Sequence, residues 1–150
     1  MDKAAMRRAE VLSRLRQLEQ DEAYAAMSRS AQEAFSAYEV RDLHRNEAEA
    51  VGRWKVPSAD GGAIELAIYT HALAVEASAM TRWSEADEHA GKADQALDLA
   101  RDDYSRALLA RDVVARRQQR VAAMAATEVE HRDADDVGDM WLARRQHGSD

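Results

Sequence analysis

Residues that stop helices are concentrated in one short stretch of this chain, Gly52 to Gly62, which holds the only proline and three of the six glycines. On either side of it the sequence offers almost nothing that would end a helix, so the chain is predicted to be two long helices joined once. Pro57 has no backbone donor and biases Val56 toward extended geometry, which ends a helix arriving through Trp54. Asp60 can cap the helix that follows, with Gly61 and Gly62 supplying backbone freedom. The expected layout is helix 1 over about 2–53, a turn over about 54–62 and helix 2 over about 63–145.

The composition agrees with that reading. Hydrophobic residues make up 46% of the 150, largely because alanine is abundant, while aromatics are only 5% and charged residues reach 33%. A chain rich in Ala, Leu, Glu and Arg reads as helix and lacks the bulk to fill a thick core. A two-helix seam needs one apolar stripe per helix, which this supply can provide. The predicted fold is therefore all-α, a long antiparallel two-helix coiled-coil hairpin with an overhanging C-terminal helix.

Charge and residue usage exclude several classes of function. The formal net charge of −7 argues against nucleic acid as the main partner, which needs a concentrated basic surface. Arg7, Arg8, Arg14 and Arg16 are a local exception, read as a solvated face paired with Glu10, Glu19 and Glu22. With no cysteine there is no disulfide, thiolate chemistry or sulfur-ligated metal. The most apolar stretch, residues 63–80, is interrupted by Glu65, Thr70, His71 and Glu76, so no transmembrane span is expected. The charged start is unlike a signal peptide. A cytoplasmic protein is the expectation, with peripheral association at the inner face of the cell membrane left open.

Apolar periodicity suggests the seam. In helix 1, Val11, Leu15 and Leu18 are followed by Tyr24, Met27, Ala31, Ala34 and Tyr38, with Phe35 beside them; the pattern slips again before Val40, Leu43 and Trp54. Helix 2 is more regular, running from Leu66 through Tyr69, Leu73, Glu76, Met80 and Trp83 to Leu97, Tyr104 and Leu108 in alternating steps of three and four. With the turn centred near residue 58, facing residue numbers should total about 117 if both helices rise equally. Tyr38 would then meet Met80, Phe35 would meet Trp83, and Val11 would lie near Tyr104 and Leu108. Tyr24 and Met27 would face Gly91, whose missing side chain reads as a packing concession. Helix 2 would outrun helix 1 from about residue 116, with Glu128 to Asp139 only partly helical.

Catalytic patterns are nearly lacking. There is no phosphate-binding glycine loop, no Gly-x-Ser-x-Gly elbow and no His-Glu-x-x-His. Glu128 and His131 have the spacing of a carboxylate di-metal half-site, but such a site requires four packed helices, and Glu85 with His89 reads as an exposed pair. The expectation is a non-enzyme without cofactor or metal. Phe35, Tyr38, Tyr69 and Trp83 are read as seam residues with exposed edges, whereas Trp54 and His71 are placed at the hairpin tip.

The layout resembles the FliJ family of flagellar type III export proteins, related to the YscO proteins of injectisomes, over nearly the whole chain. The resemblance is carried by the opening Met6-Arg7-Arg8-Ala9-Glu10, the Gly-rich interruption near residue 60, the Ile64 to Leu73 segment with Tyr69, and the ending. There Ala115-Arg116-Arg117-Gln118-Gln119-Arg120 is followed by Glu130-His131-Arg132-Asp133-Ala134-Asp135-Asp136. It implies a cytoplasmic coiled coil similar to the central stalk of rotary ATPases, with no chemistry of its own. Its implied partners are the export ATPase hexamer, an export gate membrane protein and export chaperones. The implied ATPase contacts are Met6, Val11, Leu15, Leu18, Val121, Met124, Met140 and Trp141; the implied gate contacts, at the hairpin tip, are Trp54, Tyr69, His71 and Tyr38.

Two other readings fit the same pattern. A generic coiled-coil adaptor or dimeric scaffold would share the fold without the ATPase. A secreted helical hairpin similar to the WXG100 family would carry tryptophan at its turn, but here the turn reads Trp54-Lys55-Val56 instead of Trp-x-Gly.

Overall fold

A computed structural model describes residues 3–54 and 66–148, the side chain of residue 54 excepted. Two α-helices account for these residues, α1 (Lys3–Trp54) and α2 (Leu66–His147), and they pack against each other as a hairpin. Trp54 is still helical, and α2 is helical throughout Glu128 to Asp139. The residues on which the turn was expected, Pro57 and Asp60 among them, lie outside the described residues. Both helices end on basic groups, Arg53 in α1 and Arg144, Arg145 and His147 in α2, which suits the negative end of a helix dipole. The Gly148 amide closes α2 by donating to the Arg144 carbonyl at 3.0 Å.

The chain divides into two compact units, one formed by residues 22–105 and the other by residues 1–21 with 106–150. In the first unit the helices meet along columns that repeat every seven residues. On α2 one column is all alanine: Ala72, Ala79, Ala86, Ala93 and Ala100. The other is Glu76, Trp83, Ala90, Leu97 and Tyr104. On α1 the matching positions are Ala23, Ser30, Ala37, His44 and Val51, with Met27, Ala34, Arg41 and Ala48 between them. Among the described residues, seven of the eight buried hydrophobic ones are alanines, the eighth being Leu97, and all eight lie in this unit. Small side chains let two helices approach closely, because interaxial distance follows side-chain size at the contact.

Several expectations about the seam are overturned here. Phe35 is 66% exposed, and Val40, Leu43, Leu73 and Met80 also face outward. Of the α2 pattern expected from periodicity, Glu76, Trp83, Ala90, Leu97 and Tyr104 do lie at the seam, but the alternate set is displaced by one residue onto alanines. The register differs as well. Tyr24 stacks on Tyr104 with ring centroids 5.6 Å apart, Arg41 reaches Asp87 at 4.0 Å, and a Cβ at Gly52 would stand 3.7 Å from Glu76 Oε1. Facing numbers thus total about 128, as expected for helices of equal rise that pivot near residue 64. A turn centred at residue 58 would give about 117, so every expected facing pair is shifted by about eleven residues. Gly91 has open space where a Cβ would stand, so it is not a packing concession.

The second unit has the same repeat with more polar contents. Ala9, Ser13, Arg16 and Gln20 of α1 face Ala107, Arg111, Val114, Gln118 and Val121 of α2. Gln118 Nε2 donates to the Ala9 carbonyl at 2.9 Å, and the Arg111 guanidinium donates to Gln20 Oε1 at 2.7 Å. None of its described residues is buried, and Arg16 Nε is shielded from solvent without a protein partner among them. With Ala9 opposite Gln118, α1 runs out opposite about residue 125 at a rise of about 1.5 Å per residue. The overhang therefore begins some ten residues later than expected.

Candidate partner-binding surfaces

The unit built from the two chain ends offers the more distinctive surface. Small residues at its seam leave an open groove of about 710 Å³ between the helices, with Met6, Ala9 and Leu12 on one side and Val114, Gln118 and Val121 on the other. Arg8, Arg14 and Arg117 border it, and Arg14 is tied to Glu10 at 2.7 Å. Such a site is apolar at its floor and cationic at its edge, a combination suited to an acidic amphipathic segment.

Of the residues implied as ATPase contacts, only Met6 and Val121 share this groove. Val11, Leu15 and Leu18 are exposed on the face of α1 turned away from the seam, which corrects their assignment to the intramolecular stripe. Met124 is 72% exposed, one turn beyond the groove. Met140 and Trp141 lie on the overhang, about 28 Å along α2 from Val121 at 1.5 Å per residue. Both are exposed, and the Arg145 guanidinium lies 5.2 Å from the Trp141 ring centroid. Sequence reasoning gave neither Leu12 nor Gln118 a contact role. Only the step of three or four from Ala9 and from Val114 would have found them.

In the other unit, Tyr69 and His71 are exposed in the first two turns of α2, ahead of the Glu76 that meets Gly52. Trp54 closes α1, and its side chain lies outside the described residues. Tyr38 does not belong with them. It stands sixteen residues before the end of α1, about 24 Å away, half-buried under Arg41, whose guanidinium lies 4.5 Å from the ring centroid. Burial, together with the Asp94 carboxylate to which its hydroxyl donates, raises the phenol above its ordinary pKa. Arg41 also donates twice to Asp42, at 2.9 and 3.1 Å. Tyr38, Arg41, Asp42 and Asp94 thus form a polar lock inside the seam and not a recognition tip.

Among the described residues no group of three or more His, Asp and Glu is placed to hold a metal ion, and Glu128 is engaged by Arg132. No described helix is long and apolar enough to cross a membrane. The second groove, beside Arg29, Glu33, Val40, His89 and Lys92, is open and lined by charges of both signs. No match to the chain is found among models of protein families, curated proteins or solved structures.

Proposed function

We propose that this protein is a non-enzymatic stalk of a flagellar or related type III protein export apparatus, engaging the export ATPase ring through the unit that contains both chain ends. The observation that supports this reading is the arrangement of that unit. The start of α1 lies against α2, and α2 then continues alone for about 22 residues, some 33 Å of helix, with Met140 and Trp141 exposed on it. A single polar helix carrying a few large apolar groups can be gripped by a ring and released, since it buries little area at a time. The resemblance to the FliJ family supplies the identity of the ring. Tyr69 and His71, with Trp54, are the residues proposed to meet the export gate.

The test is ATP hydrolysis by the host's type III ATPase with the full chain and with a chain ended after Ala125, which leaves α1 fully paired. Stimulation by the full chain and at least a fivefold smaller effect of the shortened one are expected. No stimulation, together with no capture of the ATPase by the full chain, overturns the proposal. In that case a coiled-coil adaptor is the reading favoured by the outward apolar residues Phe35 and Leu43.

A further inference from the structure

Beyond the groove, α2 carries a second continuous face that none of the described residues covers. Positions recurring at steps of three and four, from Leu109 and Val113 through Arg116, Arg120 and Met124, pass into the overhang at Thr127 and His131. They go on through Ala134 and Asp135 to Trp141 and Leu142, and every one of them is exposed. The large apolar groups sit near the two ends and the middle: Leu109 and Val113 are 65% and 63% exposed, Met124 72%, and Leu142 52%. A solvated helix face in a monomer has no reason to hold such a stripe over about 50 Å.

The charges on this face are arranged with two-fold complementarity. Its first half is basic through Arg116 and Arg120, and its second half is acidic through Asp135. Among the described residues none of these three has an opposite charge within salt-bridge distance. Laid antiparallel against a second copy of itself, about an axis near residue 127, the face matches in one register. Val113 then meets Leu142, Arg120 meets Asp135 and Met124 meets His131. Residues at the axis are small or already satisfied, the Thr127 hydroxyl donating to the Ala123 carbonyl at 3.0 Å, so the backbones can approach there. The overhang cannot fold back onto its own chain, because α2 is helical without interruption to His147.

We propose that two copies of this chain pair antiparallel through the α2 face from Leu109 to Leu142, around a two-fold axis near residue 127. Each copy supplies both a basic and an acidic half, so every contact is made twice, as an isologous interface requires. The paired helices give the overhang the neighbour that a lone polar helix lacks in water. The inference does not depend on the export reading: a failed ATPase assay leaves it standing, and a monomer that stimulates the ATPase sinks it alone.

The full chain is tested by sedimentation at about 100 µM in about 50 mM salt, conditions under which weakly screened charge pairs persist. A particle of twice 16.7 kDa that dissociates as salt rises is expected. Because each contact occurs twice, Arg120→Asp weakens the dimer by about tenfold, and Arg120→Asp with Asp135→Arg restores it. The chain has no cysteine, so Val113→Cys with Leu142→Cys gives an unambiguous disulfide readout. Those positions lie about 44 Å apart within one helix and can join only between copies. A covalent dimer on mild oxidation supports the proposal. A monomer at every concentration, a dimer indifferent to the charge reversals, or a dimer that survives ending the chain after Ala125 overturns it.

Discussion

The residue that decides this fold is alanine. An alanine every seventh position from Ala72 to Ala100 provides a smooth track on α2, and Ala34, Ala37 and Ala48 answer it from α1. Ala79 is only 1% exposed, so Ala79→Leu forces three extra heavy atoms into a closed contact. Overpacking of this kind costs about 1–3 kcal/mol, and thermal unfolding should show a midpoint several degrees lower. Phe35→Ala, by contrast, removes a ring that is already in solvent and should move the midpoint by no more than about 0.5 kcal/mol in equivalent stability. The pair separates the observed seam from the one that apolar periodicity suggests. Side-chain size misled the sequence reading, because Val11, Phe35 and Leu43 carry the most hydrophobic area and were assigned inward on that ground. Helix contact depends on which column lets the backbones approach, and a residue too small to register as hydrophobic pattern can win that competition.

At the scale of the helices, the sequence was more legible. Two long helices and a single interruption follow from where proline and glycine stand, and α1 ends within one residue of its expected limit. The register was not legible, because it depends on how many residues the connection takes. Counting the turn from Pro57 placed the pivot too early and carried every facing pair with it. Two glycines remain inside α2 with no packing role: a Cβ at Gly91 or Gly138 would meet nothing within 4 Å. Each therefore costs helix stability without compensation, about 0.5–1 kcal/mol relative to alanine. Gly91→Ala should raise the unfolding midpoint. Gly138→Ala should raise circular-dichroism helicity with little change in that midpoint, since no described residue of α1 lies opposite it.

For the whole molecule, burial is unevenly shared. Among the described residues, every buried hydrophobic one belongs to the unit of residues 22–105, whereas the unit of the chain ends is held by Gln118, Arg111 and other polar contacts at its seam. Amide hydrogen exchange should show the slowest rates around Ala79, Ala86 and Ala90, faster ones around Ser13 and Val114, and the fastest beyond residue 126 in dilute, high-salt solution. Equal protection along α2 would contradict this order. The uneven sharing also explains why function was harder to read than fold: a partner surface is made of residues the fold does not need, and spacing alone cannot say which of those residues share a face. Met6 and Val121 are brought together by the register, while Tyr38 is drawn away from the tip by Arg41 and Asp94.

The alanine track has one more consequence. A rail whose marks are identical does not say which mark is zero: moving α1 along α2 by one repeat, about 10.5 Å, would set small residue against small residue again. What fixes the zero in residues 22–105 is the handful of unlike groups in the other column. Tyr104 is held against Tyr24, Arg41 is clamped between Asp42 and Asp87, and Leu97 is buried. Alignment is thus stored in very few side chains, and a change that touches them resets which residues of the two helices face each other within residues 22–105 without unmaking either helix.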